Sequence, residues 1–111
     1  MIKSATQGAV QVFTLEGALN AEEADHLRDA IEAVPRSGRP QWVFDLAEVP
    51  LIDSVGCEAL LDARDAAVSV GGAAHLAGVS PLCKDILAAT GLERYFQIFE
   101  GTNQAIAQFA R

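Results

Sequence analysis

The residue in this 111-residue chain best placed to do chemistry is Ser54, within AEVPLIDSVGCEALLDARD (residues 47–65). A short apolar run, VPLI, stops at Asp53-Ser54, and a helical pattern begins directly afterwards. As a plain N-cap, Ser54 satisfies one orphan N–H of that helix and contributes about 1 kcal/mol. As a presented hydroxyl, it stands where a phosphoryl group would meet free backbone N–H groups and the positive end of the helix dipole. Asp53 beside it could orient the hydroxyl or accept its proton, and Gly56 would let a partner's backbone come close. Asp53 and Glu58 would also repel a phosphate, so modification here alters a docking surface more than it stabilises the fold. The residues alone leave both readings open.

The other reactive residue types form no catalytic set. Cys57 and Cys83 lie in apolar helical patterns with no base beside them, which fits buried, reduced thiols. His26 and His75 have no metal-ligand spacing to each other or to the cysteines. The glycine pair at 71 and 72 follows a helix instead of opening one, so it is no phosphate loop. No serine sits in a nucleophile-elbow pattern. The expectation is a binding protein and not an enzyme, with no cofactor and no metal.

Composition narrows the partners. Half of the residues are apolar and 21% are charged, as in soluble globular domains. A net charge of −7 disfavours nucleic acid and anionic lipid and favours a basic partner. No apolar run approaches the roughly 18 residues of a membrane span, and MIKSATQGAVQ lacks a signal-peptide core, so a cytoplasmic location without membrane insertion is expected.

Alternating apolar residues predict a strand over 9–15, with a short antiparallel edge strand from MIKSATQG before it. Asn20 is placed to cap a helix over 21–34, with Glu23 completing a capping box and Leu27, Ala30, Ile31 and Val34 facing inward. The outer face of that helix carries Glu22, Glu23, Asp25, Asp29 and Glu32 against His26 and Arg28: a solvated face, or a dock for a basic partner. PRSGRP is a loop, and QWVFDL (41–46) a central strand. A helix over about 55–69 turns Cys57, Leu60, Leu61, Ala67 and Val68 inward and ends at the glycine pair. A strand over 73–79 leads to Ser80, an N-cap with Pro81 at the first helical position, and to a helix with Leu82, Ile86 and Leu87 on its apolar side. Gly91 closes it, a strand covers 96–99, and a last helix covers 102–110. Strands alternating with helices through short loops imply a single compact α/β domain, its four- to five-stranded sheet mostly parallel and crossed by about four helices.

At these residues the chain resembles the STAS domain family, of anti-sigma factor antagonists and sulfate-transporter-associated domains. FDLAEVPLIDSVG is similar to the family's strand, acidic turn and D-S-[ST]-G-L phosphorylation motif. LEGALNAEEADHLRDAI is similar to its G-E-L-D turn and first helix, and AGVSPLCKDILAATGLERYFQIFEGTNQAI to its closing elements. The resemblance covers the whole chain, residues 1–111, as one STAS domain. It implies that Ser54 is the phosphoacceptor, Asp53 the motif aspartate and Gly56 the motif glycine. Val55 stands where the family has a second hydroxyl, Cys57-Glu58 replaces a small or aliphatic pair, and Asn20 replaces the turn aspartate near the phosphosite. The implied role is an anti-sigma factor antagonist in partner switching, a step in transcription regulation. An anti-sigma serine kinase would bind and phosphorylate it, and a phosphatase would reset it. The alternative is a non-phosphorylated accessory subunit of a membrane transport ATPase, with Ser54 only a cap and contact.

Overall fold

The computed structural model describes residues 1–35 and 38–110. Part of the predicted PRSGRP loop, residues 36 and 37, therefore lies outside the described residues. Strands β1 (Ile2–Gln7) and β2 (Val10–Glu16) form an antiparallel hairpin. Its two-residue turn needs a left-handed first position, which Gly8 supplies at φ 61°. Helix α1 (Ala21–Glu32), β3 (Gln41–Glu48), α2 (Ser54–Ser69), β4 (Ala73–Ala77) and α3 (Pro81–Ala89) follow. A 3₁₀ turn (Leu92–Tyr95), β5 (Ile98–Phe99) and α4 (Thr102–Phe109) complete the chain.

The five strands lie in the order β1-β2-β3-β4-β5, parallel except for β1. The expected mostly parallel α/β domain is what forms, with the hairpin placing two strands before the first helix. Several boundaries differ. α1 stops at Glu32, leaving Val34 beyond it; β3 runs on to Glu48; β4 ends at Ala77; β5 has two residues; and α4 ends at Phe109. The alternating strand faces divide the core in two. One face packs Phe13, Leu15, Trp42, Phe44, Leu46 and Leu76 under α1, α2 and α3, with Phe13 stacked on Phe44 at 5.3 Å between ring centroids. The other face packs Val10, Val12, Val43 and Ala77 against Ala105, Ile106 and Phe109 of α4.

Two inward assignments were wrong. Val68 and Leu82 are exposed, and Gly56, Ala59 and Ala63 of α2 and Cys83 of α3 take the buried positions instead. The inner face of α2 combines Gly56, Ala59, Ala63 and Ala67 with one large side chain, the fully buried Leu60, and Val68 falls outside it. Both cysteines are free and buried, as their context suggested.

His75 is buried on the α4 side of β4, stacked on Phe109 at 4.6 Å and edge-on to Phe99 at 5.5 Å. Its Nδ1 meets no hydrogen-bond partner among the described residues. Burial lowers its pKa, and the Ala74 backbone opposes that shift. The fold therefore favours the neutral ring, so its stabilising effect is complete above the unfolded pKa of about 6.5 and falls away as pH drops through that value. Urea midpoints measured between pH 8 and pH 5 should fall more for the wild type than for His75→Phe, which keeps the stacking and cannot take a proton.

Candidate functional site

The site sits where two helices begin side by side. Leu19, after β2, and Ile52, after β3, form one parallel bridge, closed by Leu19 N–H to Leu51 O (2.8 Å) and Asp53 N–H to Leu19 O (3.1 Å). The next residue in each segment is a helix N-cap: Asn20 for α1 and Asp53 for α2. Parallel pairing thus brings both helix mouths together at the carboxyl end of the sheet, the region where open α/β sheets gather their functional groups.

The expected cap of α2 is corrected here. Asp53 caps the helix, its Oδ1 accepting from Gly56 N–H at 2.8 Å, and Ser54 is the first helical residue. A carboxylate one residue earlier has the reach to the third helical N–H, so the hydroxyl is not needed for it. Asp53 is thereby engaged with the backbone and not with the Ser54 hydroxyl. Ser54 is exposed, and its hydroxyl makes no hydrogen bond among the described residues. At α1, Asn20 Oδ1 accepts from Glu23 N–H at 3.1 Å, as its position predicted. The reciprocal half of the capping box is missing. Glu23 turns to the Met1 amino group (2.8 Å), which lowers its pKa, and to His26 Nδ1 (3.1 Å).

Gly56 is the second correction. It is buried and does not open the surface to a partner. A β-carbon there would fall inside the contact distance of the Leu19 carbonyl oxygen and 2.9 Å from Leu19 Cγ. The glycine lets the first turn of α2 lie directly on the β2–α1 turn. Cys57 is likewise buried and belongs to the floor of the site. Burial raises its thiol pKa, the Thr90 hydroxyl opposes this, and Asp53 and Cys83 add to it, so it stays an inert thiol.

What remains exposed around Ser54 is Asp53, Val55 and Glu58. Two large aliphatics share this end of the fold: Leu51, which the sequence reading left without a role, and Leu82, which it had turned inward. Leu51 (47% exposed) precedes the α2 mouth, and Leu82 (54%) opens α3, which starts from the carboxyl end of the next strand. Their signal was available only as aliphatics beside a turn, which periodicity reads as core. No group of three or more histidine, cysteine or acidic residues able to hold a metal occurs among the described residues. Also among them, no helix is long and apolar enough to cross a membrane.

The caps can be told apart by stability. Asp53→Ala should cost about 1 kcal/mol, within a range of roughly 0.5–2, whereas Ser54→Ala should change unfolding by less than about 0.5 kcal/mol. Gly56→Ala gains about 1 kcal/mol of helix propensity and meets the Leu19 backbone. Overpacking against backbone prevails, so a net loss of about 1–3 kcal/mol is expected in chemical denaturation.

Comparison with known proteins accords with this geometry. A sequence model of the STAS domain family matches residues 1–105. An anti-sigma factor antagonist from Mycobacterium paratuberculosis superposes with a TM-score of 0.86 at 22% identity, over 100% of this chain and 94% of that one. The anti-sigma factor antagonist SpoIIAA in its unphosphorylated form gives 0.80 at 18%, over 99% and 96%. The STAS domain of a SulP transporter from Vibrio cholerae gives 0.75 at 15%, over 96% and 84%. No curated protein matches the sequence. A parallel sheet with one antiparallel edge strand, twin helix mouths and a family match over nearly the whole length place this chain in the STAS domain family.

Proposed function

We propose that this chain is an anti-sigma factor antagonist-like binding module, released from a partner serine kinase by phosphorylation of Ser54 and reset by a phosphatase. The observation that carries the reading is the freedom of the Ser54 hydroxyl. It stands exposed on the first turn of α2 while Asp53 does the capping. Leu51, Val55 and Leu82 offer apolar surface at the same end of the domain for a partner to cover. In the transfer, Ser54 Oγ attacks the γ-phosphorus of ATP, the bond to the bridging oxygen breaks and ADP leaves. The hydroxyl proton passes to a carboxylate of the kinase, while Asp53 Oδ1 goes on accepting from Gly56 N–H. The chain is the substrate in this cycle, not the catalyst, and its setting is the cytoplasm, where the ATP-using partner works.

Charge explains why transfer would end the complex. Two adjacent helix N-termini contribute together about +1 elementary charge, against which stand the Asp53 carboxylate at one mouth and Glu22 and Glu23 in the first turn at the other. A phosphoryl group of about −1.5 to −2 adds to these acids and makes the mouth strongly negative, with Glu58 one turn further along. A docking surface that suited the uncharged hydroxyl then carries an unpaired dianion.

Incubation with the cognate kinase and Mg-ATP, followed by phosphosite mapping, should place one phosphate on Ser54 and weaken kinase binding at least about tenfold. If Ser54→Ala leaves both labelling and partner release unchanged, the reading fails. The likeness to a transporter domain favours a second reading, a constitutive accessory subunit of a membrane transport system. There Ser54→Ala and Ser54→Glu would both keep the partner in a pull-down.

A further inference from the structure

The sheet has two edges of very different character. β5 offers two residues, whereas β1 is a regular six-residue strand that, among the described residues, pairs only with β2. The hydrogen-bond phase of β1 is fixed at its start. Glu16 N–H donates to Met1 O (2.9 Å), and the Met1 amino group donates to Glu16 O (3.1 Å), so residues 1 and 16 are a hydrogen-bonded pair. Antiparallel alternation then turns the backbone groups of Lys3, Ala5 and Gln7 toward β2. The pair Gln7–Val10 flanking the two-residue turn agrees with this phase. The N–H and C=O groups of Ile2, Ser4 and Thr6 therefore point outward, and among the described residues no other strand pairs with that side.

That edge is self-complementary. With Ser4 on a two-fold axis, Ser4 lies opposite Ser4 of a second copy, and Ile2 lies opposite the second copy's Thr6. These are the outward-facing residues, so each pair can exchange two N–H···O bonds. The same register sets Lys3 opposite the second copy's Ala5, so the two lysines do not oppose one another. Charge also selects this face. β1 contains no carboxylate, and its one charge, Lys3, pairs with Glu16 at 3.4 Å, in a chain whose net charge is −7. Two copies can meet here without setting acid against acid along the strand. We propose that β1 is a dimerisation strand, pairing antiparallel with β1 of a second copy to join two sheets into one. The contact lies two strands away from β3, whose end carries Ser54, so both serine sites stay accessible.

Sedimentation equilibrium of the pure chain in about 0.3 M salt, which screens net repulsion, tests this. The average mass should rise with concentration from monomer toward dimer. Ala5→Glu sets an acid opposite Lys3 at two symmetric positions and should tighten the dimer roughly three- to tenfold, and Ala5→Lys should weaken it by a similar factor. Ser4→Pro removes an outward N–H that the β1–β2 ladder does not use, and should leave a folded monomer by circular dichroism. A wild type that stays monomeric up to about 1 mM overturns the proposal, including the case where β1 accepts a strand only from another protein. A dimer indifferent to the charge at position 5 overturns it as well, even if Ser4→Pro fails to fold.

Discussion

The contact between Gly56 and the Leu19 carbonyl governs the rest of the site. Because residue 56 has no β-carbon, the first turn of α2 rests on the backbone of the β2–α1 turn. That closeness permits the bridge between Leu19 and Ile52, and the bridge sets the two helix caps side by side. The Asp53 backbone is tied to Leu19 and its side chain to Gly56, so the segment leading to Ser54 is held from both sides. A serine on so fixed a base has its backbone set in advance, which would reduce the ordering cost for a partner that docks there.

Much of this was legible in the chain. Alternating β2, the turn residues and the Ser80-Pro81 start of α3 each have a local cause, and local causes can be read from neighbours in sequence. Asn20 is a case in point, since a cap needs only the N–H three residues ahead. The Asp53 cap obeys the same rule, but in Asp-Ser both residues can do the work. Choosing between them depends on where the chain leaves the Leu19 bridge, and that is a tertiary fact. Gly56 shows the same limit. A glycine early in a helix reads as an open surface or a weak spot until the backbone it touches, 37 positions earlier, is known.

Val68 and Leu82 were misread for a related reason. Helical periodicity locates a face and cannot say how near the neighbouring layer lies. α2 buries Gly56, Ala59, Ala63 and Ala67 beside Leu60, so small residues take most of the inner positions that larger aliphatics hold in most amphipathic helices. The family resemblance supplied what periodicity lacked, since it was carried by the acidic turn and the Asp-Ser pair and not by helix patterning. The paired phenylalanine–histidine seam under α4 had no such aid: His75 in a strand pattern gives no sign of the ring that will cover it.

Asp53 and Ser54 stand side by side at one helix mouth and differ in what they hold. The aspartate holds the helix, and the hydroxyl next to it makes no hydrogen bond among the described residues. On the proposed reading, a protein built this way would lose or regain its phosphoacceptor through one substitution while its folding is untouched. Within one architecture, a switched module and a permanently docked one are then separated by a single side chain. The scaffold exerts no pressure toward either.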